Sequence, residues 1–300
     1  MAQLVVLVTG LLPTSIGKTN VVAAIAAGLK REGVKVLAVK PYALFDWFTD
    51  YSSTLLSQEQ GLPLSGDVVR LREAAGAKEG YTLLNPVSLV SAPLVPRTFI
   101  EARSPSSYYT LHGDPYRRLV LARTTYYMEG AYSVVYVNRW PLNRGLVRID
   151  GQVLGSMIRR AARVYEFATL RDFREVVERA AYQALRSVLG YLANKYRALV
   201  IEGFSDLAWP LPADMGVSVV IAVAPGEALI YSADKYRMAV ALKRGSVGGI
   251  RDVLLKDIFN LLNPEAIFDL PPVASNELPE SLVEKYKDLI GYVLELLEAY

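Results

Sequence analysis

The sequence predicts an α/β fold: a doubly wound, mostly parallel sheet with flanking helices and a small β-rich insertion. Three observations carry that reading. An apolar strand runs straight into a glycine-bearing loop and a helix over residues 4–30, later strands alternate with amphipathic helices, and a Tyr- and Arg-rich stretch at 97–150 breaks the alternation.

Leu4 to Val8 is a continuous aliphatic and β-branched run, as expected of a parallel strand covered on both faces. The loop that follows offers Gly10 and Gly17, where a backbone without Cβ can curl round phosphate oxygens. Lys18 would reach the β/γ-phosphates and the Thr19 hydroxyl would sit on Mg²⁺, while Thr14, Ser15, Ile16 and Asn20 complete the expected nucleotide-binding set. Val21 to Lys30 is strongly helix-forming, so its start would aim unpaired N–H groups at the same phosphates. This is a P-loop of altered spacing. The usual G-x-x-x-x-G-K-[ST] would want glycine at 12, where Leu12 stands, and the leading glycine lies earlier, at Gly10. The class it implies is a P-loop NTPase of one domain, residues 1–300, with the insertion at 97–150 inside it.

Val34 to Val39 gives a second strand that Lys40-Pro41 ends at the sheet's binding edge. Residues 65–76 form a short amphipathic helix opened by Ser65 and closed by Gly76, and 86–96 are extended and bounded by proline. Later come a long amphipathic helix at Arg171–Lys195, a buried strand over 196–201 that ends in Glu202-Gly203, and a strand at Val217–Val223. A helix from about Glu227 to Lys243, a short strand near 247–254, a strand at Ile267–Leu270 and a terminal helix from Pro279 follow. The stretch 97–150 holds seven Tyr and eight Arg but no Lys, with strand-like runs RLVLA, YSVVYV and GLVRI close together, and reads as an excursion from one core.

Composition narrows the chemistry. At 300 residues and 52% hydrophobic content the chain can bury a large core without staples. It has no cysteine, which excludes thiol catalysis, thiolate metal sites and disulfides, and points to the cytoplasm. No leader is expected, because the apolar run at 4–8 enters the loop, and no run reaches the ~20 apolar residues a membrane span needs. A net charge of +3, spread over helices, argues against nucleic acid as the partner. Arg in excess over Lys, abundant Tyr and scarce Gln hint at a thermophile.

A P-loop needs a carboxylate at the end of a buried strand to hold Mg²⁺ or its water, and Glu202 fits, because an acidic group at the tip of a core strand is costly without a cation or hydrogen bonds. The bland alternative is an exposed loop glutamate. His112, a lone turn histidine, reads more simply as structural than as a general base.

With these pieces in order, the chain resembles the dethiobiotin synthetase-like family of ATP-dependent enzymes, grouped with the amidoligase domains of cobyrinic acid synthetases and CTP synthetase. The matching segments are VTGLLPTSIGKT, VKPYA, GDVVRLREAAG, NPVSLVSAP and VIEGFSDLAWPL, over roughly residues 1–96 and 197–275. The resemblance implies that Lys40 contacts the acceptor and, with Lys18, is catalytic, that Asp67 and Glu202 with Thr19 hold Mg²⁺, that the loop holds ATP, and that a second copy is a partner in a homodimer. Three departures qualify it. The loop is one residue longer than in dethiobiotin synthetases, Tyr42-Ala43-Leu44-Phe45 replaces a Ser-Gly stretch, and Phe204-Ser205-Asp206 replaces a Gly-rich run. Arg251 and Asp252 stand where relatives often place a base-reading Asn, so GTP stays open beside ATP.

A glutamine-hydrolysing module needs a Cys nucleophile, so any amide-forming chemistry would use ammonia or a substrate amine. The leading expectation is an ATP-dependent ligase or phosphoryl-transfer enzyme that activates a carboxylate or carbamate of a small substrate. The alternatives are an ATPase or GTPase switch that binds a partner through the insertion, and a non-catalytic nucleotide binder.

Overall fold

A computed structural model describes residues 3–13, 16–246, 253–274 and 277–299. Its strands, in chain order, are β1 (Leu4–Gly10), β2 (Val36–Val39), β3 (Tyr42–Asp46), β4 (Val87–Ser91), β5 (Leu119–Tyr127), β6 (Ala131–Asn138), β7 (Arg163–Phe167), β8 (Ala198–Glu202), β9 (Val219–Ala224), β10 (Glu227–Ser232) and β11 (Ala266–Asp269). The chain divides into two compact units, Met1–Pro41 with Asp67–Gly80 and Leu189–Tyr300, and Tyr42–Gly66 with Tyr81–Val188.

The first unit is built on a sheet of order β11-β10-β9-β1-β8-β2. β1 is buried along its whole length and pairs in parallel with β8 and β9, which is what its unbroken aliphatic run requires. Side chains alternate across it: Leu4, Val6 and Val8 enter a core shared with the helices Lys18–Arg31, Asp67–Ala75, Pro279–Lys285 and Lys287–Ala299. On the opposite face Tyr231 of β10 meets Tyr236 of the helix Ala233–Ser246, so helices cover both faces. The helix Lys18–Arg31 is buried from Val21 to Leu29, hydrophobic almost all round as a fully covered helix must be.

The sheet is mixed: β9, β1, β8 and β2 are parallel neighbours, and β10 runs antiparallel to both β9 and β11. One expectation is corrected in this unit. The stretch from Glu227, expected as helix, begins as β10 and turns helical only at Ala233. The reason is local: Pro225-Gly226 makes a two-residue turn with Gly226 at φ +88°, and Ala224 pairs with Glu227 across it. Most of the strand expected near 247–254, with Arg251 and Asp252, lies outside the described residues.

The second unit reaches beyond the segment 97–150. Instead of an excursion confined to 97–150, it is a unit with its own sheet, of order β3-β4-β5-β6-β7. β3 pairs parallel with β4, β4 and β5 as well as β5 and β6 pair antiparallel, and β6 and β7 pair parallel. Its core is separate, built on Phe45, Val90, Phe99, Val120, Val135 and Met157. The segment 97–150 is only partly β: it supplies β5 and β6, but also helices at Pro105–His112 and Arg139–Asn143, and the expected GLVRI strand is reduced to a bridge between Val147 and Leu94.

At the centre of this unit Arg123 of β5 is fully buried. Its guanidinium donates to the Pro63 carbonyl at 2.7 Å, the Pro86 carbonyl at 3.2 Å, Oδ1 of Asn85 at 3.2 Å, and also to Oγ1 of Thr125 and the Asn85 carbonyl. All these acceptors are neutral. Burial pushes the group down to about 9, and at neutral pH it keeps its charge by filling its donors. Among the described residues no helix is long and apolar enough to cross a membrane.

Candidate functional site

Strand register brings the candidates in the first unit together. Val8 lies beside Glu202 across β1 and β8, and Val39 lies beside Ile201 across β2 and β8. Lys40, one residue beyond Val39, therefore emerges level with Glu202, the last residue of β8. These are the carboxyl ends of parallel strands, where open α/β sheets bind ligands. Lys18 and Thr19 open the helix after β1, and Asp67 opens the helix Asp67–Ala75.

Lys40 links the two carboxylates. Its Nζ lies 2.6 Å from Oδ2 of Asp67 and 2.6 Å from Oε1 of Glu202. The Thr19 hydroxyl donates to the same Glu202 oxygen at 3.0 Å. Glu202 is only 2% exposed, and its other oxygen, Oε2, is buried without a hydrogen-bond partner. Burial works against the Lys40 ammonium, but Glu202 and then Asp67 outweigh it and raise the group above its usual range.

Lys18 sits in the same cluster and is held differently. Its Nζ donates to the Ser205 carbonyl at 2.9 Å. Burial lowers its proton affinity, Glu202 opposes that, and the positive charge of Lys40 adds to it, so the net shift is downward. Ser205 has φ +53°, a left-handed conformation uncommon outside glycine, and its hydroxyl donates to Oδ1 of Asp206 at 3.0 Å. The sequence reading did not include Ser205 or Asp206 in the site. The available signal was the position of Phe204-Ser205-Asp206 directly after Glu202-Gly203.

The glycines have separate reasons. At Gly10 a Cβ would stand 2.9 Å from both Nζ of Lys18 and Cδ1 of Ile16, and 3.1 Å from the Ser205 carbonyl oxygen, so the bare backbone makes room for the ammonium. Gly17 caps the helix at φ +91°, with no side-chain cap. At Gly203 a Cβ would meet the Val8 carbonyl oxygen at 3.0 Å and Cα of Thr9 at 3.3 Å, backbone on both counts. Gly203→Ala is therefore expected to destabilise by about 1–3 kcal/mol, read from the urea midpoint. A midpoint equal to wild type would show that β1 and the turn after Glu202 are not so closely apposed.

Of the remaining candidates, Ile16 packs against the core of the first unit, and Asn20 lies partly buried in the first turn of the helix. Thr14 and Ser15 lie outside the described residues. His112 belongs to the second unit, at the exposed end of the helix Pro105–His112, its ring stacked on Tyr108 with centroids 6.0 Å apart.

Among the described residues no group of three or more His, Cys, Asp or Glu could hold a metal alone. A hydroxyl and two carboxylates from Thr19, Asp67 and Glu202 are nonetheless hard oxygen donors of the kind Mg²⁺ takes when substrate phosphates and water complete its shell. The unpartnered, buried Oε2 of Glu202 fits such a group. Comparison with protein-family models, with curated proteins and with solved structures gives no match for this chain.

Proposed function

We propose that this chain is a P-loop NTPase that binds Mg²⁺ with ATP, GTP not being excluded, and activates a carboxylate or carbamate of a small substrate by phosphoryl transfer. The observation that carries this reading is the meeting of Lys18, Thr19, Lys40, Asp67 and Glu202, drawn from four chain segments, at the carboxyl ends of parallel strands.

In this reading the first-turn amides of the helix Lys18–Arg31 and the Lys18 ammonium receive the phosphates. Gly17 leaves that end of the helix without a side-chain cap, so its donors remain available to an anion. Lys18 stabilises charge on the transferring group, and the Ser205 carbonyl holds it in place beforehand. Thr19, Asp67 and Glu202 would hold Mg²⁺, which when bound neutralises phosphate charge. Lys40 orients the acceptor carboxylate or carbamate. Ammonia or an amine of the substrate then attacks the carbonyl carbon of the acyl phosphate, forming the C–N bond as the C–O bond to phosphate breaks, with phosphate leaving and nitrogen losing a proton; the chain has no cysteine with which to hydrolyse glutamine.

The test is release of ADP or GDP with Mg²⁺ and nucleotide, measured alone and with a panel of small carboxylic acids and amines. Stimulation by one acid is the expected result. Slow release that no acid alters would favour the second reading, a nucleotide-dependent switch. One observation supports that reading too: the second unit has a sheet and core of its own, enough to serve as a partner-binding module.

A further inference from the structure

Lys40 stands where the site wants a cation, and it is one. Its ammonium contacts both carboxylates, and Thr19 spends its hydroxyl proton on the Glu202 oxygen that Lys40 also uses. All three residues assigned to Mg²⁺ are thus already engaged with one another or with Lys40. We infer that Lys40 is an internal placeholder: in the free protein its ammonium neutralises Asp67 and Glu202, and the arriving divalent ion takes over these oxygens and releases Lys40 toward the acceptor.

Charge counting gives the inference its content. Lys18 and Lys40 stand against Asp67 and Glu202, and the buried carboxylate of Asp206 also acts on Lys18. A divalent ion entering alone would add two positive charges beside two ammonium groups, one more than the three carboxylates offset, in a mostly buried cluster, which is unfavourable at low dielectric. The polyphosphate of a nucleotide brings the missing negative charge. Metal and nucleotide should therefore load together, and metal alone should bind poorly. The two carboxylates hold Lys40 unequally: Glu202 is sealed from water, whereas the Asp67 side chain is 44% exposed. Exchange would begin at the screened Asp67 contact and finish at Glu202, whose unpartnered Oε2 gives the ion an oxygen that Lys40 does not use.

The inference rests on the proposed reading in one respect, that the ion serves a nucleotide, but its test uses none. Thermal unfolding of wild type, Lys40→Met, Lys40→Gln and Lys40→Arg would be followed with MgCl₂ and, as control, NaCl at equal ionic strength. Wild type and Lys40→Arg should respond weakly to Mg²⁺. Lys40→Met and Lys40→Gln should melt lower in NaCl and regain at least about 3 °C in Mg²⁺, because the ion then replaces the missing ammonium. A Mg²⁺ response no larger than that of wild type would overturn the inference. So would variants that stay unfolded with the ion present, since the ion should stand in for Lys40. A protein that binds no nucleotide would sink the proposed function and leave this result unaffected.

Discussion

Lys18→Ala should lower nucleotide turnover by about 10²–10³-fold while the fold stays within about 1 kcal/mol of wild type. The two halves of that expectation come from the same geometry. The ammonium lies beside Gly10 at the start of the loop, whereas Lys40 is engaged with Asp67 and Glu202 in the free protein and is assigned to the acceptor when Mg²⁺ is bound. The structural contribution of Lys18 is small, because burial disfavours its charged form and its hydrogen bond goes to the carbonyl of Ser205, a residue that water reaches in part. Product release and urea unfolding measured on the same preparation separate the two. Turnover like wild type would remove Lys18 from the chemistry, and a large loss of stability would mean that it is a core ion-pair partner instead.

Arg123→Met should be the most damaging single change in the second unit, at about 1–3 kcal/mol for each buried acceptor left without a donor. Removing the guanidinium takes the donor from the buried Pro63 carbonyl and one donor from the carbonyl and side chain of Asn85, while the Pro86 carbonyl keeps the Thr125 N–H at 2.8 Å and Oγ1 of Thr125 keeps Ser133 at 2.7 Å. Against a typical total of about 5–15 kcal/mol, that is enough to open the unit. Arg123→Lys should recover little, because a point ammonium cannot serve acceptors spread around a planar fork. Hydrogen exchange would show the loss as faster exchange across β3, β4 and β5. A change below about 1 kcal/mol would mean that water or repacking satisfies those acceptors.

The parts of the fold that could be read from sequence are those whose signals are local. The apolar run of β1, the Gly-Lys-Thr at the start of its helix, and the Glu at the tip of β8 each state their position within a few residues. Their meeting follows from parallel register, which fixes Lys40 level with Glu202 once β2, β8 and β1 are neighbours. Whether Lys40 would face an acceptor or the two carboxylates is a matter of side-chain geometry, and no spacing encodes it.

The second sheet was hidden for a different reason. β3 directly follows Lys40-Pro41, and its partner β4 comes more than forty residues later; β4 in turn pairs with β5 on its other edge. Such pairings are non-local, so YALFD read as a departure from a motif and 97–150 as an isolated insertion. Arg123 offered a usable signal, an arginine inside the strand-like run LVLARTTYY, where a charge is tolerated only if its donors are filled. β10 was misread because EALIYS suits either period over so short a run, and the Pro225-Gly226 turn should have decided it. Ser205 was missed because a left-handed residue is sought first at glycine.

In the proposed function the Lys18 end of the first helix receives nucleotide phosphates with Mg²⁺. The measurement that tests it most directly is calorimetric titration of the protein with non-hydrolysable ATP and GTP analogues, with and without Mg²⁺. Tight, Mg²⁺-dependent binding of at least one analogue is expected. Absence of heat with both analogues in the presence of Mg²⁺ would contradict it.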